Sequence, residues 1–177
     1  WHNEHSRFRY FWSDETWPVE IFDDTTCEVV LLSGIAGSGK DTFYRENYAH
    51  LPAISLDDLR RELKIKPDDR DGQGKVVHLA YERAKEYCRR RQSFVWNSTN
   101  LTADLRAKLI GTLRVYHPRF VLCYIETTHA AIFTRRAADI KASVLERMVQ
   151  QLDMPLQGEA HQVRYLRDNL PLQRALG

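Results

Sequence analysis

One glycine-rich segment constrains this chain more than any other part of its sequence. It reads Gly34-Ile35-Ala36-Gly37-Ser38-Gly39-Lys40-Asp41-Thr42 and follows the apolar run Val29-Val30-Leu31-Leu32. Two glycines five residues apart, followed directly by lysine, fit the phosphate-binding P-loop. The motif requires a strand before it and a helix after it, and the flanking residues satisfy both conditions. The chain is therefore predicted to build a phosphate site on a strand–loop–helix unit.

This segment predicts binding of a nucleoside triphosphate, either ATP or another NTP. The backbone amides of such a loop surround a polyphosphate, and the positive end of the following helix faces the same phosphates. The lysine reaches the outer phosphates. The predicted nucleotide contacts are Gly34, Ala36, Gly37, Ser38, Gly39, Lys40, Asp41 and Thr42.

One position departs from the usual motif. Asp41 stands where a P-loop normally carries the Ser or Thr that meets Mg²⁺, and Thr42 comes one residue later. The acid that usually follows a neighbouring strand is also missing, because the third predicted strand ends at Asn97-Ser98. We hypothesise that Asp41 supplies the carboxylate for Mg²⁺, and the sequence leaves open whether Thr42 does so instead.

Composition narrows the class of protein. The chain has 177 residues, an ordinary apolar fraction and a formal net charge of +2, so a nucleic-acid partner needs a local basic patch rather than an overall basic field. Its three scattered cysteines argue against a disulfide framework or a zinc site and favour a reducing cytoplasmic location. No run of apolar residues has membrane-spanning length, and no membrane partner is expected.

Alternation of apolar and amphipathic segments predicts the fold. Strands are expected at 27–33, 53–56, 94–96, 120–126 and 163–166, and the segments between them have helical character. This order indicates an α/β fold: a parallel sheet of four to five strands with helices on both faces and a helical lid. Ligands of such sheets bind beyond the carboxyl ends of the strands. We expect residues 64–74 to form a polar loop.

The sequence divides into two parts. Residues 1–26 are crowded with aromatic side chains and are predicted to be an N-terminal arm or a linker from an upstream domain, and residues 27–177 form the P-loop domain. The first residue is Trp1 rather than Met, which fits a chain cut from a longer protein.

Two further groups of charged residues follow predicted strands. After the second strand, Asp57 can deprotonate an acceptor hydroxyl and Arg60 can bind an acceptor phosphate, although both residues also suit a helix start. After the fourth strand, Arg135 and Arg136 lie on the lid helix, where they can neutralise charge on the transferred phosphoryl group or form a solvated basic face. Lys141 is a weaker candidate for the same charge-neutralising role.

These motifs together resemble the P-loop 5′-hydroxyl polynucleotide kinases, which include a phage enzyme and the kinase modules of bacterial RNA-repair proteins. The resemblance runs from residue 27 to 166 and is carried by the P-loop, Asp57-Asp58-Leu59-Arg60, Thr99-Asn100-Leu101 and the lid arginines. It implies a P-loop kinase domain over 27–177 that transfers the γ-phosphoryl group of ATP, with Mg²⁺, to the 5′-OH end of RNA and/or DNA.

The resemblance also assigns roles. It implies Lys40, Asp57, Arg60, Arg135 and Arg136 as catalytic residues, with both lid arginines also touching the nucleotide. It places the donor base near the acid-Ala string Glu159-Ala160-His161. Family members often occur beside phosphatase, phosphohydrolase or ligase domains, which are the expected partners.

Two other functions remain open at this stage. Kinases of small molecules, such as sugars, nucleosides or nucleotides, share the P-loop and an acid after the second strand, and Gly39-Lys40-Asp41-Thr42 is similar to some nucleoside monophosphate kinases. A regulatory ATPase or nucleotide switch is the second alternative, which the missing acid after the third strand disfavours.

Overall fold

A computed structural model describes residues 3–12, 22–66, 68–136, 140–168 and 170–171. For residues 129, 133, 136, 170 and 171 it describes the backbone alone. The described strands are β1 (Glu28–Ser33), β2 (Ala53–Ser55), β3 (Phe94–Asn97), β4 (Arg119–Glu126), β5 (Gln162–Arg167) and β6 (Leu170–Pro171). The described helices are α1 (Glu4–Trp12), α2 (Lys40–Asn47), α3 (Leu56–Glu62), α4 (Arg70–Arg89), α5 (Ala103–Leu113), α6 (His129–Arg136) and α7 (Ala142–Gln150).

The strands form a single sheet in the order β2-β3-β1-β4-β5-β6. The first five are parallel, and the short β6 runs antiparallel to β5, so β5 is not the last strand. The central strand β1 is buried on both faces, since Val29 to Leu32 are wholly inaccessible to solvent. This pattern explains why β1 reads as a continuous apolar run. The predicted P-loop α/β fold is confirmed.

Alternate residues of the strands face two different helical layers. Val29, Phe94 and Phe120 pack against α1, α4 and α5, whereas Val30 and Val121 pack on the other face against α2. Every helix that follows a strand therefore starts at the carboxyl edge of the sheet, where the polar clusters of the sequence also lie. None of the described helices is both long and apolar enough to cross a membrane.

The prediction of a polar loop at 64–74 is wrong for residues 70–74, which are helical. Helix α4 begins at Arg70, because the Asp69 side chain caps it and accepts a hydrogen bond of 2.9 Å from the amide of Gly72. Gly72 is buried, and a Cβ there would lie 2.6 Å from a methyl carbon of Ile65. The glycine thus allows close packing inside a helix rather than a turn.

The buried faces of α4 and α5 do not follow the apolar residues at every position. In α4 the buried residue is Val76, whereas Val77 is exposed. In α5, which Thr102 caps, Leu105 is exposed and its neighbour Arg106 is completely buried. When the buried face of a helix is assigned from apolar residues alone, a buried arginine such as Arg106 is missed.

Helix α1 packs against the body of the protein. Phe8 is buried, stacks on the His161 ring with centroids 3.9 Å apart, and lies close to Phe120 of β4. Residues 13–21, including Trp17 and Pro18, are outside the described residues. The division of the chain at residue 27 stays a prediction.

A buried histidine pair joins α1 to the start of β5. The amide of Phe120 donates to His161 Nδ1 at 3.0 Å, so the ring proton lies on Nε2, which faces His5 Nδ1 at 3.1 Å. Burial, together with the nearby His5, lowers the pKa of His161 to about 3. The pair therefore requires a neutral His161.

Acid should weaken the fold through this residue. His161 has an unfolded pKa near 6.5, so its stabilising contribution is complete above that pH and declines as the pH falls towards 3. We expect the unfolding free energy from urea titrations to fall by about 2 kcal/mol between pH 7 and pH 5.

The control variants separate His161 from the other histidines. His161→Gln should lower stability at pH 7 and flatten the pH dependence, whereas His78→Gln, at an exposed position of α4, should change neither. An unchanged pH slope in His161→Gln would contradict this account of the pair.

Candidate active site

The P-loop adopts a conformation that its glycines require. Gly34 has φ 148°, and a Cβ at that position would lie 2.4 Å from the carbonyl oxygen of Ile125 at the end of β4. Gly39, which precedes α2, has φ 106°. Both values lie in the region that side-chain-bearing residues rarely adopt. The loop therefore packs directly on the sheet edge and turns straight into α2.

Lys40 and Ser38 line the inside of this loop. The Lys40 ammonium group donates to the carbonyl oxygens of Gly34 and Ile35, each at 2.8 Å. Ser38 is buried, and its hydroxyl has no hydrogen-bond partner among the described residues. A buried hydroxyl without a partner is costly unless a ligand satisfies it. Phosphate oxygens fit this requirement, and the positive end of α2 lies beside them.

Asp41 lies in the first turn of α2 and contacts the neighbouring strand. Its Oδ1 accepts a hydrogen bond of 2.7 Å from Asn97 Nδ2 at the end of β3. Mg²⁺ bound to a nucleotide commonly takes one or two protein carboxylates, with phosphate and water oxygens completing its shell. Asp41 fits that donor set. No cluster of three or more metal-ligating side chains occurs within the described ranges.

The Thr99-Asn100-Leu101 string clamps the start of the P-loop. The Gly34 amide donates to the Thr99 carbonyl at 2.9 Å, and Asn100 Nδ2 donates to the Leu32 carbonyl at 2.7 Å. The Ser33 hydroxyl donates to the Asn100 carbonyl at 3.0 Å. Asn100 is buried with φ 43°, a left-handed conformation that asparagine tolerates better than most residues. The string thus has a structural role beside the nucleotide site.

Arg106 supports this clamp and was not identified from the sequence. Its guanidinium donates to the carbonyls of Asn100 and Leu101 at 3.1 and 3.0 Å. It also forms a two-pronged ion pair with Glu159, at 2.6 and 3.1 Å. Its spacing was the one sequence signal for this burial, since residue 106 shares the helical face of Leu109 and Leu113. An arginine on such a face requires buried acceptors.

The residues predicted to bind the acceptor, Asp57 and Arg60, lie on α3, directly after β2. Ser55 caps this helix by accepting from the Asp58 amide at 3.2 Å. Asp57 forms an ion pair with Arg60, and Arg60 Nε donates to Gln73 Oε1 of α4 at 2.7 Å. The Asp57 side chain is 86% exposed and that of Arg60 only 26%. A fixed arginine therefore holds an accessible carboxylate.

A basic pocket adjoins this pair. It has a volume of about 360 Å³, and Asp57, Arg60, Arg61, Lys64, Ile65 and Lys66 line it. Arg61 pairs with Asp58, while the two lysines form no ion pair with the described residues. The lining carries four cations against one carboxylate, so it favours an anionic ligand.

The acceptor pair and the P-loop share one edge of the sheet. Strand β3 separates β2 from β1, and neighbouring strands are about 4.8 Å apart, so the two strand ends are separated by roughly 10 Å. That interval suits a phosphoryl group and a hydroxyl that meet between them. The roles of Asp57 and Arg60 remain predictions.

The lid helix α6 contacts the P-loop through one of its two predicted arginines. Arg135 Nη1 lies 3.3 Å from the carbonyl oxygen of Gly37 and is otherwise exposed. The side chain of Arg136 is outside the described part of the chain, and Lys141 is an exposed residue at the start of α7. The structure thus brings Arg135 to the P-loop.

The predicted base site at Glu159-Ala160-His161 is wrong. These residues precede β5, at the end of the strand opposite the P-loop edge. Ala160 and His161 are buried, and Glu159 is held by Arg106. Their side chains support the core, so no surface remains there for a base to stack on.

Comparison with known proteins agrees with the fold. A protein-family profile described as "AAA domain" matches residues 29–155. No curated protein sequence is significantly similar to the chain.

Three solved structures show how widely this fold is shared. The first is a putative kinase from Chloroflexus aurantiacus, with a TM-score of 0.66 and 18% identity over 82% of this chain and 87% of that chain. The second is a gluconokinase from Sinorhizobium meliloti, with a TM-score of 0.56 and 20% identity over 83% and 86%. The third is a chain of the Pnkp1/Rnl/Hen1 complex, with a TM-score of 0.58 and 14% identity over 74% of this chain and 44% of that one.

Removal of the Arg106 side chain should destabilise the protein strongly. Arg106→Ala removes one donor from each of two carbonyls and leaves the Glu159 carboxylate without its ionic partner, and breaking a buried ion pair costs about 3–5 kcal/mol. Urea titration at pH 7 measures the loss.

Arg83→Ala is the matched control. Arg83 pairs with Glu62 at the surface, so its loss should cost less than about 1 kcal/mol. Equal losses of unfolding free energy in the two variants would contradict the stabilising role assigned to buried Arg106.

Proposed function

The chain belongs to the AAA-domain family, and we propose that it is an ATP-dependent kinase of polynucleotide 5′-hydroxyl ends. The observation that carries the proposal is the Asp57–Arg60 pair beside a basic pocket, at the same sheet edge as the P-loop. A role in nucleic-acid repair, with RNA as an expected substrate, follows from the sequence resemblance.

The donor half of the site would hold the NTP phosphates. The P-loop amides, Lys40 and the Ser38 hydroxyl supply donors on one side, and Arg135 approaches from the lid. Mg²⁺ held by Asp41 would offset the charge of the β- and γ-phosphates. This half resembles that of many P-loop kinases and does not distinguish between acceptors.

The acceptor half supports a polyanionic substrate. A neutral sugar needs hydrogen-bonding groups, whereas the pocket around Arg60 presents an excess of positive charge. Arg60 suits the 3′ phosphate of the terminal nucleotide, because guanidinium groups bind phosphate through two parallel hydrogen bonds. Lys64 and Lys66 would meet the next phosphate along the strand.

The reaction would proceed by in-line transfer. Asp57 takes the proton of the 5′-hydroxyl as that oxygen forms a bond to the γ-phosphorus. The bond between the γ-phosphorus and the bridging oxygen breaks, and the nucleoside diphosphate leaves. Lys40 and Arg135 would stabilise the charge that develops on the transferred group. Release of Asp57 from Arg60 by the incoming phosphate would leave the carboxylate available as a base.

The same geometry permits a second candidate function. A kinase of a small acceptor also needs a carboxylate opposite the P-loop, and the similarity to a gluconokinase shows that this fold hosts such enzymes. The two candidates differ in acceptor size and charge. The cytoplasmic location and the phosphatase, phosphohydrolase or ligase partners expected from the sequence stay predictions.

A panel of acceptors with γ-labelled ATP tests the proposal. We expect label on 5′-OH RNA or DNA oligonucleotides and none on their 5′-phosphorylated counterparts. Label on gluconate, nucleosides or nucleoside monophosphates, without label on oligonucleotides, would favour the second candidate. Hydrolysis without any labelled acceptor would favour a regulatory ATPase.

Asp57→Ala should lower kcat for an oligonucleotide acceptor about 10²–10⁴-fold while nucleotide affinity is unchanged, because a general base contributes about that much. Asp58→Ala is the matched control, since Asp58 pairs with Arg61 one residue further along the same helix. The assignment fails if Asp57→Ala retains full activity.

Arg60→Ala should weaken binding of the acceptor phosphate. The wild-type protein is expected to prefer a nucleoside 3′-phosphate to the plain nucleoside. Loss of one charge-assisted contact should reduce this preference in kcat/KM roughly 10–100-fold. A preference that survives the substitution would mean that another residue binds the phosphate.

A further inference from the structure

The contact between Asp41 and Asn97 reverses the usual arrangement beside a P-loop. P-loop NTPases commonly place a Ser or Thr at the helix start and an acid at the end of a nearby strand. Here the acid is on α2 and a neutral amide ends β3. Strand β3 is the neighbour of β1, and Asn97 lies level with Leu32 near the start of the P-loop. The acid therefore occupies the helix position of the pair, and a neutral residue occupies the strand position.

We propose that Asn97 is a positioning residue that fixes the Asp41 carboxylate for the magnesium ion of the bound nucleotide. The proposal rests on the donor half of the proposed function and is independent of the acceptor. The Asn97 amide donates to Oδ1 at 2.7 Å, whereas Oδ2 makes no hydrogen bond with the described residues. One oxygen is thus anchored to the sheet and the other is available to a cation.

The orientation of the amide follows from its partner. A carboxylate only accepts hydrogen bonds, so the NH₂ group of Asn97 must face it, since the amide oxygen would be repelled. Asp41 is exposed in the first turn of α2, and without this anchor its side chain would be free to change rotamer. Asn97 therefore restricts a side chain that its own helix does not hold.

Charge is conserved by the exchange. A hydroxyl with an acid carries one negative charge, and so does an acid with an amide. A carboxylate is a stronger ligand for Mg²⁺ than a hydroxyl, so Asp41 on α2 would keep a direct protein ligand for the ion at the position where the usual P-loop has Ser or Thr.

Thr42 is less suited to this role. It lies one residue further along α2, which is about 100° round the helix, and its hydroxyl is 3.5 Å from Arg45 Nη2 on the same helix. Asp41 alone of the two bridges α2 and β3. The structure thereby assigns the position left open by the sequence.

Nucleotide binding with and without metal tests the proposal without any acceptor. Calorimetry gives the ADP affinity of the full chain in Mg²⁺ and in EDTA, and the ratio of the two is the metal coupling. Residues that do not touch the metal but orient its ligands typically contribute about 10–100-fold in metal affinity. Asn97→Ala should reduce the coupling about 10-fold and keep the wild-type affinity in EDTA. Asp41→Asn should abolish the coupling, and its affinity in EDTA should be at least that of the wild type, because a negative charge beside the phosphates is removed.

The reciprocal double variant gives the most stringent test of the proposal. Asp41→Asn combined with Asn97→Asp restores one carboxylate and one amide in contact, so it should recover much of the coupling that Asp41→Asn loses. Asn97→Asp alone places two carboxylates together and should weaken nucleotide binding in EDTA. Asn47→Ala is the control: Asn47 lies near the end of α2, its amide donates to the Phe43 carbonyl, and its loss should change neither affinity.

Two results would overturn the proposal. One is an Asn97→Ala variant with wild-type metal coupling. The other is an equal loss of affinity in Mg²⁺ and in EDTA for Asp41→Asn, because that loss would reflect damage to the loop rather than to metal binding. A negative acceptor panel leaves these measurements unaffected, so failure of the function and failure of the metal site can be told apart.

Discussion

The clamp between β1 and the loop after β3 is the constraint on which the site depends. Three hydrogen bonds join Leu32, Ser33 and Gly34 to Thr99 and Asn100, and buried Arg106 holds the same loop from behind. This clamp fixes where the P-loop leaves the sheet. It also sets the end of β3 beside the start of α2, so that Asn97 reaches Asp41. The donor site is thus built as one unit from two crossover connections.

Arg106 extends this unit to the far side of the domain. Its ion pair with Glu159 ties the segment before β5 to the loop after β3, and both loop carbonyls share the same guanidinium. A buried charge is tolerated only when its hydrogen bonds are satisfied, and two segments, the loop after β3 and the segment before β5, satisfy this one. The residues near Glu159 consequently serve the architecture and not the nucleotide base. Helix α1 adds a second connection at the same strand through the His5–His161 contact.

The sequence predicts the strongly patterned parts of this protein well. Continuous apolar runs predicted the buried strands, and the glycine–lysine motif predicted the loop and helix that follow β1, because both patterns have local physical causes. The missed features depend on distant partners. Arg106 is buried because acceptors from elsewhere in the chain surround it, Gly72 is helical because it packs on Ile65, and the Asn97–Asp41 contact joins residues on separate elements. No local pattern carries that information.

The central claim is that one sheet edge brings an NTP and a 5′-hydroxyl end together. The most direct measurement is a crystal structure of the protein with a non-hydrolysable ATP analogue, Mg²⁺ and a 5′-OH oligonucleotide. The account predicts that the γ-phosphate lies in the P-loop, the terminal 5′-oxygen is within hydrogen-bonding distance of the Asp57 carboxylate, and the adjacent phosphate contacts Arg60. A 5′ end bound away from Asp57, with the P-loop occupied, would contradict it.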